Sequence, residues 1–334
     1  MSGKARDIGN ESRNQPQPRN RRGFEIATDR FESMVTGAIV SSRFEPLFHE
    51  EVPEDFPRVT TRGHFDVRSG VRSLTAFLDS SRPVETFLRE NNTFEETNVS
   101  DEYDTEGEIP GFDTRESPDE IMVYVHGMIA DRRAGLGRFS SMEYVLRENG
   151  YDHPVVGYTW DADHALRTWW PGNEIAEQNG TKLAEFVLDY KRENLDTDIR
   201  LICVSMGARV VLEAIRELAE RGEYDAIESV SVLGGVVRND AVTLDGGYGT
   251  SIKRVVGEFH NYWMETDYTL RTFFPRIEGG TALGAAGADG ETPSNYHDHR
   301  VEYVPNHYSY FRPGKGCIPD VVADLTRRRV SRRP

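Results

Sequence analysis

From residue 120 onward, short apolar runs alternate with stretches whose apolar residues recur at helical spacing. Ile121-Met122-Val123-Tyr124-Val125 and the cluster Ile199, Leu201, Ile202 and Cys203 are too short for helices and predict buried strands. Val210, Val211, Ala214, Ile215, Leu218 and Ala219 fall on one helical face, and Gly222 supplies a stop. The same spacing runs through Leu183, Phe186, Val187 and Tyr190, and again through Ile318, Val321, Val322 and Leu325. In chain order the pattern predicts strands centred on Tyr124, Val156, Leu201, Val232, His260 and Tyr303, with helices over 138–149, 173–192, 207–221, 268–275 and 318–328. Such alternation predicts an α/β fold, a mostly parallel sheet with helices on both faces, preceded by an N-terminal extension.

Upstream the pattern breaks. Residues 1–22 are polar and basic, with Pro16 and Pro18, and are expected to form a disordered arm. Residues 23–118 are expected to hold an extension, with β structure or short helices around Phe65, Val67, Val71, Leu74, Phe77 and Leu78, and an acidic connector over 94–119. The extension is expected to complete an edge of the sheet rather than to cover it as a lid. Residues 119–330 then make up the α/β domain.

Chemistry enters at Cys203-Val204-Ser205-Met206-Gly207, the joint between a predicted buried strand and a strongly amphipathic helix. A serine on so sharp a strand-to-helix turn is pushed out of regular backbone space with its hydroxyl exposed, while the first helical N–H groups point at whatever the hydroxyl attacks. A base is expected just past the last strand, where Val301, Tyr303 and Val304 give way to Pro305-Asn306 and His307. His297 and His299, in a predicted polar loop, are the competitors, and the His297-Asp298-His299 cluster on its own is a weak metal signal. An acid is expected between serine and base: Asp267 lies 62 residues after Ser205 and 40 before His307, with Glu265 and Asp240 as alternatives.

Nucleophile, acid and base in that order, together with the strand that ends in His126-Gly127-Met128, resemble the serine α/β-hydrolase superfamily, its esterase and lipase-like members in particular. The resemblance covers residues from about Glu120 to Pro334, and Cys203 stands where the usual Gly-x-Ser-x-Gly pattern has its first glycine. It implies a catalytic domain over 119–330 that cleaves an acyl ester through Ser205, Asp267 and His307. The backbone N–H groups of Met128 and Met206 would form the oxyanion hole, with His126 shaping the turn. No cofactor and no metal is implied, and the expected partner is a small-molecule acyl substrate. A non-catalytic binding or scaffold protein of the same fold is the alternative.

Charge adds a condition rather than a function. The net charge is −16, but residues 1–22 carry +4 and 325–334 carry five arginines, which leaves −25 on residues 23–324. Only five of the 40 basic residues are lysines. Heavy carboxylate with little lysine resembles proteins adapted to molar salt, where screening within roughly 3 Å removes self-repulsion. The melting temperature is therefore expected to rise from dilute to molar salt; a flat or falling trend removes the salt-adaptation reading. The acidic balance argues against nucleic acid as a partner despite the basic ends. No stretch approaches the ~20 apolar residues of a membrane span. Two cysteines, Cys203 and Cys317, offer no disulfide framework, and charged residues interrupt the apolar run that a twin-arginine export signal beginning at Arg21-Arg22 would need, so a cytoplasmic location is expected, with export from that pair as the alternative.

Overall fold

The computed structural model of the chain describes residues 53–69, 92–96, 102–163 and 169–332. The expected arm at 1–22, the Arg21-Arg22 pair and apolar positions 71–78 lie outside the described residues. In order come β1 (Arg58–Thr60), β2 (Phe65–Ser69), β3 (Asn92–Glu96), β4 (Asp104–Glu106), β5 (Glu120–Val125), α1 (Arg132–Glu148), β6 (Val155–Thr159), α2 (Trp169–Glu193) and β7 (Asp198–Val204). They are followed by α3 (Gly207–Glu220), β8 (Ile227–Leu233), α4 (Gly249–Val255), β9 (Val256–Trp263), α5 (Tyr268–Ile277), α6 (Leu283–Ala286), β10 (Tyr296–Arg300) and α7 (Ile318–Arg332).

Eight strands form one sheet in the order β10-β9-β8-β7-β5-β6-β1-β4, and β2 pairs with β3 in a separate antiparallel ribbon. Every pairing in the large sheet is parallel except β1 with β4. The fold is α/β. Alternate residues of the central strands feed two cores, as the pleat of a sheet covered on both faces requires. Ile121, Val123, Val125, Ile199, Leu201 and Cys203 pack with α2 and α3, while Met122, Tyr124, Ile202 and Val204 pack with α1 and α7.

From β5 the chain steps to β6, then returns past β5 to place β7 on its other side and continues outward through β8 and β9. The sheet order therefore reverses between β5 and β7. Open α/β sheets bind ligands at such a switch point, beyond the carboxyl ends of the strands. Ser205 follows β7 and His126-Gly127-Met128 follows β5, so the chain's two most suggestive turns flank that crevice.

Three expectations need correction. Val301, Tyr303 and Val304 are not the last strand: β10 lies earlier, at Tyr296–Arg300, and the Val304 N–H bonds back to the Val301 carbonyl in a turn. The two valines plug the core while Tyr303 faces outward, which imitates strand alternation; β10 itself is largely polar and gives no apolar signal. His297 and His299 consequently sit on a strand and not in a loop, and residues 278–300 also contain the short helix α6. Third, α1 begins at Arg132 rather than 138, because the Asp131 side chain caps the Ala134 N–H at 2.8 Å.

Candidate active site

Ser205 occupies the left-handed backbone region at φ 57°, one of three non-glycine residues to do so among the described residues. Such a conformation is costly for a residue with a Cβ and persists where its surroundings over-determine it. The surroundings here are specific. The Ser205 N–H donates to the Leu233 carbonyl at 3.0 Å, and the Ser205 carbonyl accepts from Ala208 and Val236 at 3.1 Å each. Gly207 is forced by space: a Cβ there would stand 2.6 Å from the Val125 carbonyl oxygen. Cys203, beneath the turn, is fully buried, and burial pushes its thiol well above the ordinary range.

His307 arrives from the loop between β10 and α7. Asn306 shapes that loop, its side-chain oxygen accepting from the Tyr308 N–H and the Ser309 hydroxyl at 3.0 Å each. His307 Nε2 lies 2.9 Å from Ser205 Oγ, and its Nδ1 lies 2.7 Å from Asp267 Oδ2. An ionised carboxylate only accepts, so Nδ1 donates to Asp267 and Nε2 is left to accept from the serine hydroxyl. Asp267 is fully buried and does a second job: its Oδ1 accepts from the Leu270 N–H at 3.0 Å, capping α5. The two alternative acids stand elsewhere. Asp240 pairs with Arg238 at 2.6 Å and Glu265 pairs with Arg300, all at exposed positions.

Residues 165–307, which span all three of these side chains, match the model of a family described as a protein of unknown function, DUF726. An uncharacterized membrane protein of Schizosaccharomyces pombe is 32% identical over 102 residues, 29% of this chain and 17% of that protein. The match thus spans under a fifth of that relative's length. Among the described residues no helix is long and apolar enough to cross a membrane. Similar solved structures include the catalytic core of an acetyl xylan esterase from Trichoderma reesei, at 12% identity over 65% of this chain and 95% of that one, with a TM-score of 0.33. A cutinase-like protein from Cryptococcus sp. matches at 10% identity over 63% of this chain and 94% of that one, with a TM-score of 0.35.

Across the crevice, the loop after β5 presses against the serine. A Cβ on Gly127 would stand 2.9 Å from Ser205 Cβ, so only glycine allows this approach. Ile129, a branched residue, is also left-handed at φ 57°. Arg138, on α1, holds the loop from behind: Nη1 donates to the Gly127 and Met128 carbonyls at 3.1 and 3.2 Å, and Nη2 to the Ile129 carbonyl at 2.9 Å. In a trans peptide the carbonyl and the next N–H point opposite ways, so drawing the Gly127 carbonyl toward Arg138 turns the Met128 N–H away from it. Neither the Met128 nor the Met206 N–H donates in the turn and cap bonds of the described residues. Arg138 was not singled out from the sequence, where it reads as one more charge on a helix.

His126 is fully buried beside this loop, with Nδ1 2.9 Å from the Gly127 carbonyl, Nε2 3.1 Å from Thr159 Oγ1, and its ring stacked on Trp160. Neither of these ring hydrogen bonds goes to Ser205. Burial first, then Arg62 and Arg138, hold its imidazole well below the ordinary range, so it stays neutral. Below pH about 6.5 the unfolded chain takes up a proton here that the folded chain refuses, and stability falls with pH at a slope approaching ~1.4 kcal/mol per unit. Urea midpoints are expected to drop between pH 6.5 and 5, and His126→Asn to remove that share of the slope. An unchanged slope in the variant would mean that His126 protonates in the folded protein.

The crevice opens into a cleft lined mostly by apolar side chains. Ile129, Trp169, Leu270, Phe273, Phe274 and Phe311 make up its apolar walls. Of the three tryptophans near the end of β6, Trp169 reaches this cleft, whereas Trp160 packs on His126. Glu278 fixes Trp169 from behind, accepting from its Nε1 and from Asn173 Nδ2 at 2.7 Å each while pairing with Arg209 on α3.

Proposed function

We propose that the protein is a serine hydrolase that cleaves an ester of an apolar acyl group through a covalent acyl-enzyme, with residues 119–330 as its catalytic domain. The observation that carries this reading is the unbroken chain Asp267 Oδ2, His307 Nδ1, His307 Nε2, Ser205 Oγ, with links of 2.7 and 2.9 Å, ending at an apolar cleft. His307 takes the Ser205 proton as Oγ attacks the ester carbonyl carbon. Asp267 holds the productive tautomer and stabilises the imidazolium. The carbonyl oxygen gains negative charge and accepts hydrogen bonds from the Met128 and Met206 N–H groups. Collapse of the tetrahedral adduct breaks the bond to the alcohol, which leaves with the proton from His307. Water, deprotonated by the same imidazole, then attacks the acyl-serine; the bond from the acyl carbon to Oγ breaks, the imidazolium returns its proton to Oγ, and the carboxylic acid departs.

A free serine hydroxyl is a poor nucleophile at neutral pH, so rapid capture by an organophosphorus probe requires an adjacent base and an oxyanion site already in place. Intact-mass measurement in molar salt is expected to show one adduct per chain, mapped to Ser205. It is expected to be absent in Ser205→Ala and strongly slowed in His307→Ala, with His297→Ala labelling as wild type. A folded protein that stays unlabelled, and that turns over no short-chain aryl ester faster than Ser205→Ala, would replace this reading with that of a non-catalytic scaffold.

A further inference from the structure

Two and three strands along the sheet from β7, side chains from three elements converge: His260 on β9, His299 on β10 and Asp324 on α7. One nitrogen or oxygen from each lies within 4.8 Å of the others, and this is the one such His, Cys, Asp and Glu cluster among the described residues. His260 Nδ1 stands 3.0 Å from His299 Nε2. Two imidazole nitrogens on one tetrahedral zinc, each at 2.0–2.1 Å, lie about 3.3 Å apart, so the observed spacing is already close to that of a shared ion. Of the sequence neighbours of His299, His297 stacks its ring on that of His260, with centroids 5.1 Å apart, and is not among the converging ligand atoms. Asp298 points to the other face of the strand, where it accepts from Asn261 Nδ2 and the Tyr296 hydroxyl at 2.8 Å each.

The protons of the histidine pair do not fit two neutral rings. His260 Nε2 is buried and makes no hydrogen bond, with Glu258 Oε2 3.4 Å away; His299 Nδ1 lies 3.5 Å from Asp324 Oδ2. Each neutral ring has one N–H. If His299 donates to His260, then its own Nδ1 presents a bare lone pair to Asp324. If His260 donates, its Nε2 presents one to Glu258. A cation between the rings resolves the conflict, because both inner nitrogens bind it and both protons move to the outer nitrogens, that of His260 facing Glu258 as a carboxylate behind a metal-bound histidine does.

We propose that His260, His299 and Asp324 bind a divalent transition-metal ion, zinc above all, with a rotation of the Asp324 carboxylate closing the third position. The Tyr262 hydroxyl, which donates to Asp324 Oδ2 at 2.9 Å, and Glu258 form its outer support. His299 is partly exposed and gives solvent and metal a way in. The ion joins β10 to α7, the two ends of the segment that carries His307, so it fixes that loop without touching the reaction.

The test uses Co²⁺ as a visible probe on the full chain, free of affinity-tag histidines, in molar salt at neutral pH. One equivalent of Co²⁺ is expected to give the absorption bands of a low-symmetry site, to be displaced by Zn²⁺, and to leave the spectrum of His307→Ala unchanged. A hundredfold excess of Zn²⁺ over Kd is expected to raise the melting temperature by roughly 4 °C. His299→Gln and the near-isosteric Asp324→Asn are each expected to weaken binding at least ~10-fold while His297→Ala binds normally. Folded wild-type protein without a stoichiometric spectrum, equal binding by both ligand variants, or loss of binding in His297→Ala would each overturn the site.

Discussion

Asp267→Asn is expected to lower kcat on an aryl ester by on the order of 10⁴ while leaving the melting temperature nearly unchanged. Both halves of that expectation come from the two duties of one carboxylate. Its Oδ1 caps α5 through the Leu270 N–H, and the amide oxygen of asparagine can take over that bond. Its Oδ2 faces His307 Nδ1, where the asparagine NH₂ now donates instead of accepting. The imidazole is then held with its proton on Nε2, facing Ser205, where it cannot accept one. Asp267→Ala separates the duties, since it should also lose the cap at a cost of about 1 kcal/mol. Activity and urea stability measured side by side check the pair. A nearly wild-type Asp267→Asn beside an inactive Glu265→Gln or Asp240→Asn would give the role of acid to another carboxylate.

The second large effect is expected at Arg138, which touches neither Ser205 nor His307 in the hydrogen-bond network. Three loop carbonyls, from Gly127, Met128 and Ile129, converge on its guanidinium. Arg138→Met keeps the apolar stem and removes all the donors, freeing the Gly127–Met128 peptide to rotate and Ile129 to leave its strained φ of 57°. Loss of one well-aimed oxyanion donor costs roughly 10²–10³ in kcat, with KM little changed, because the donor acts on charge that develops only in the transition state. Arg138→Lys, with one compact ammonium in place of a planar fork, should recover a fraction of the loss. Steady-state kinetics on the three proteins test this. A kcat for Arg138→Met within about threefold of wild type would show that the loop holds its shape unaided.

The parts of this architecture legible in the sequence are those whose signal is local. A buried central strand is apolar along its length and α3 has a strong apolar stripe, so the joint that carries Ser205 announces itself within some twenty residues. Asp267 stands just ahead of a predicted helix, and in the structure its side chain caps that helix, α5. The edge strand β10 is different: its outward side chains need no apolar character, and the two valines that follow it imitate the alternation that it lacks. Arg138 and Glu278 escape for another reason. Their partners are backbone carbonyls and side chains brought close by packing, and nothing in helical spacing separates an arginine that grips a loop from one that faces water. The histidine and aspartate cluster is harder still, since His260 lies 39 residues from His299 and 64 from Asp324 in the chain and only strand pairing and helix docking unite them.

The outermost strands of the large sheet among the described residues, β4 and β10, bear on colloidal behaviour as well as on fold. A sheet rim presents unpaired backbone groups that can recruit a second molecule, and proteins commonly guard against this with short length and with charge. In molar salt the charged guard is weakened, because screening reaches within roughly 3 Å. Brevity is not screened. At three residues, Asp104-Thr105-Glu106 is too short to template a stable ladder, and the five residues of β10 carry two histidines, Asp298 and Arg300 in place of the branched apolar side chains that would zip two rims together. Solubility at high ionic strength would then rest on the geometry of the rims, and lengthening or greasing either one is where precipitation should begin.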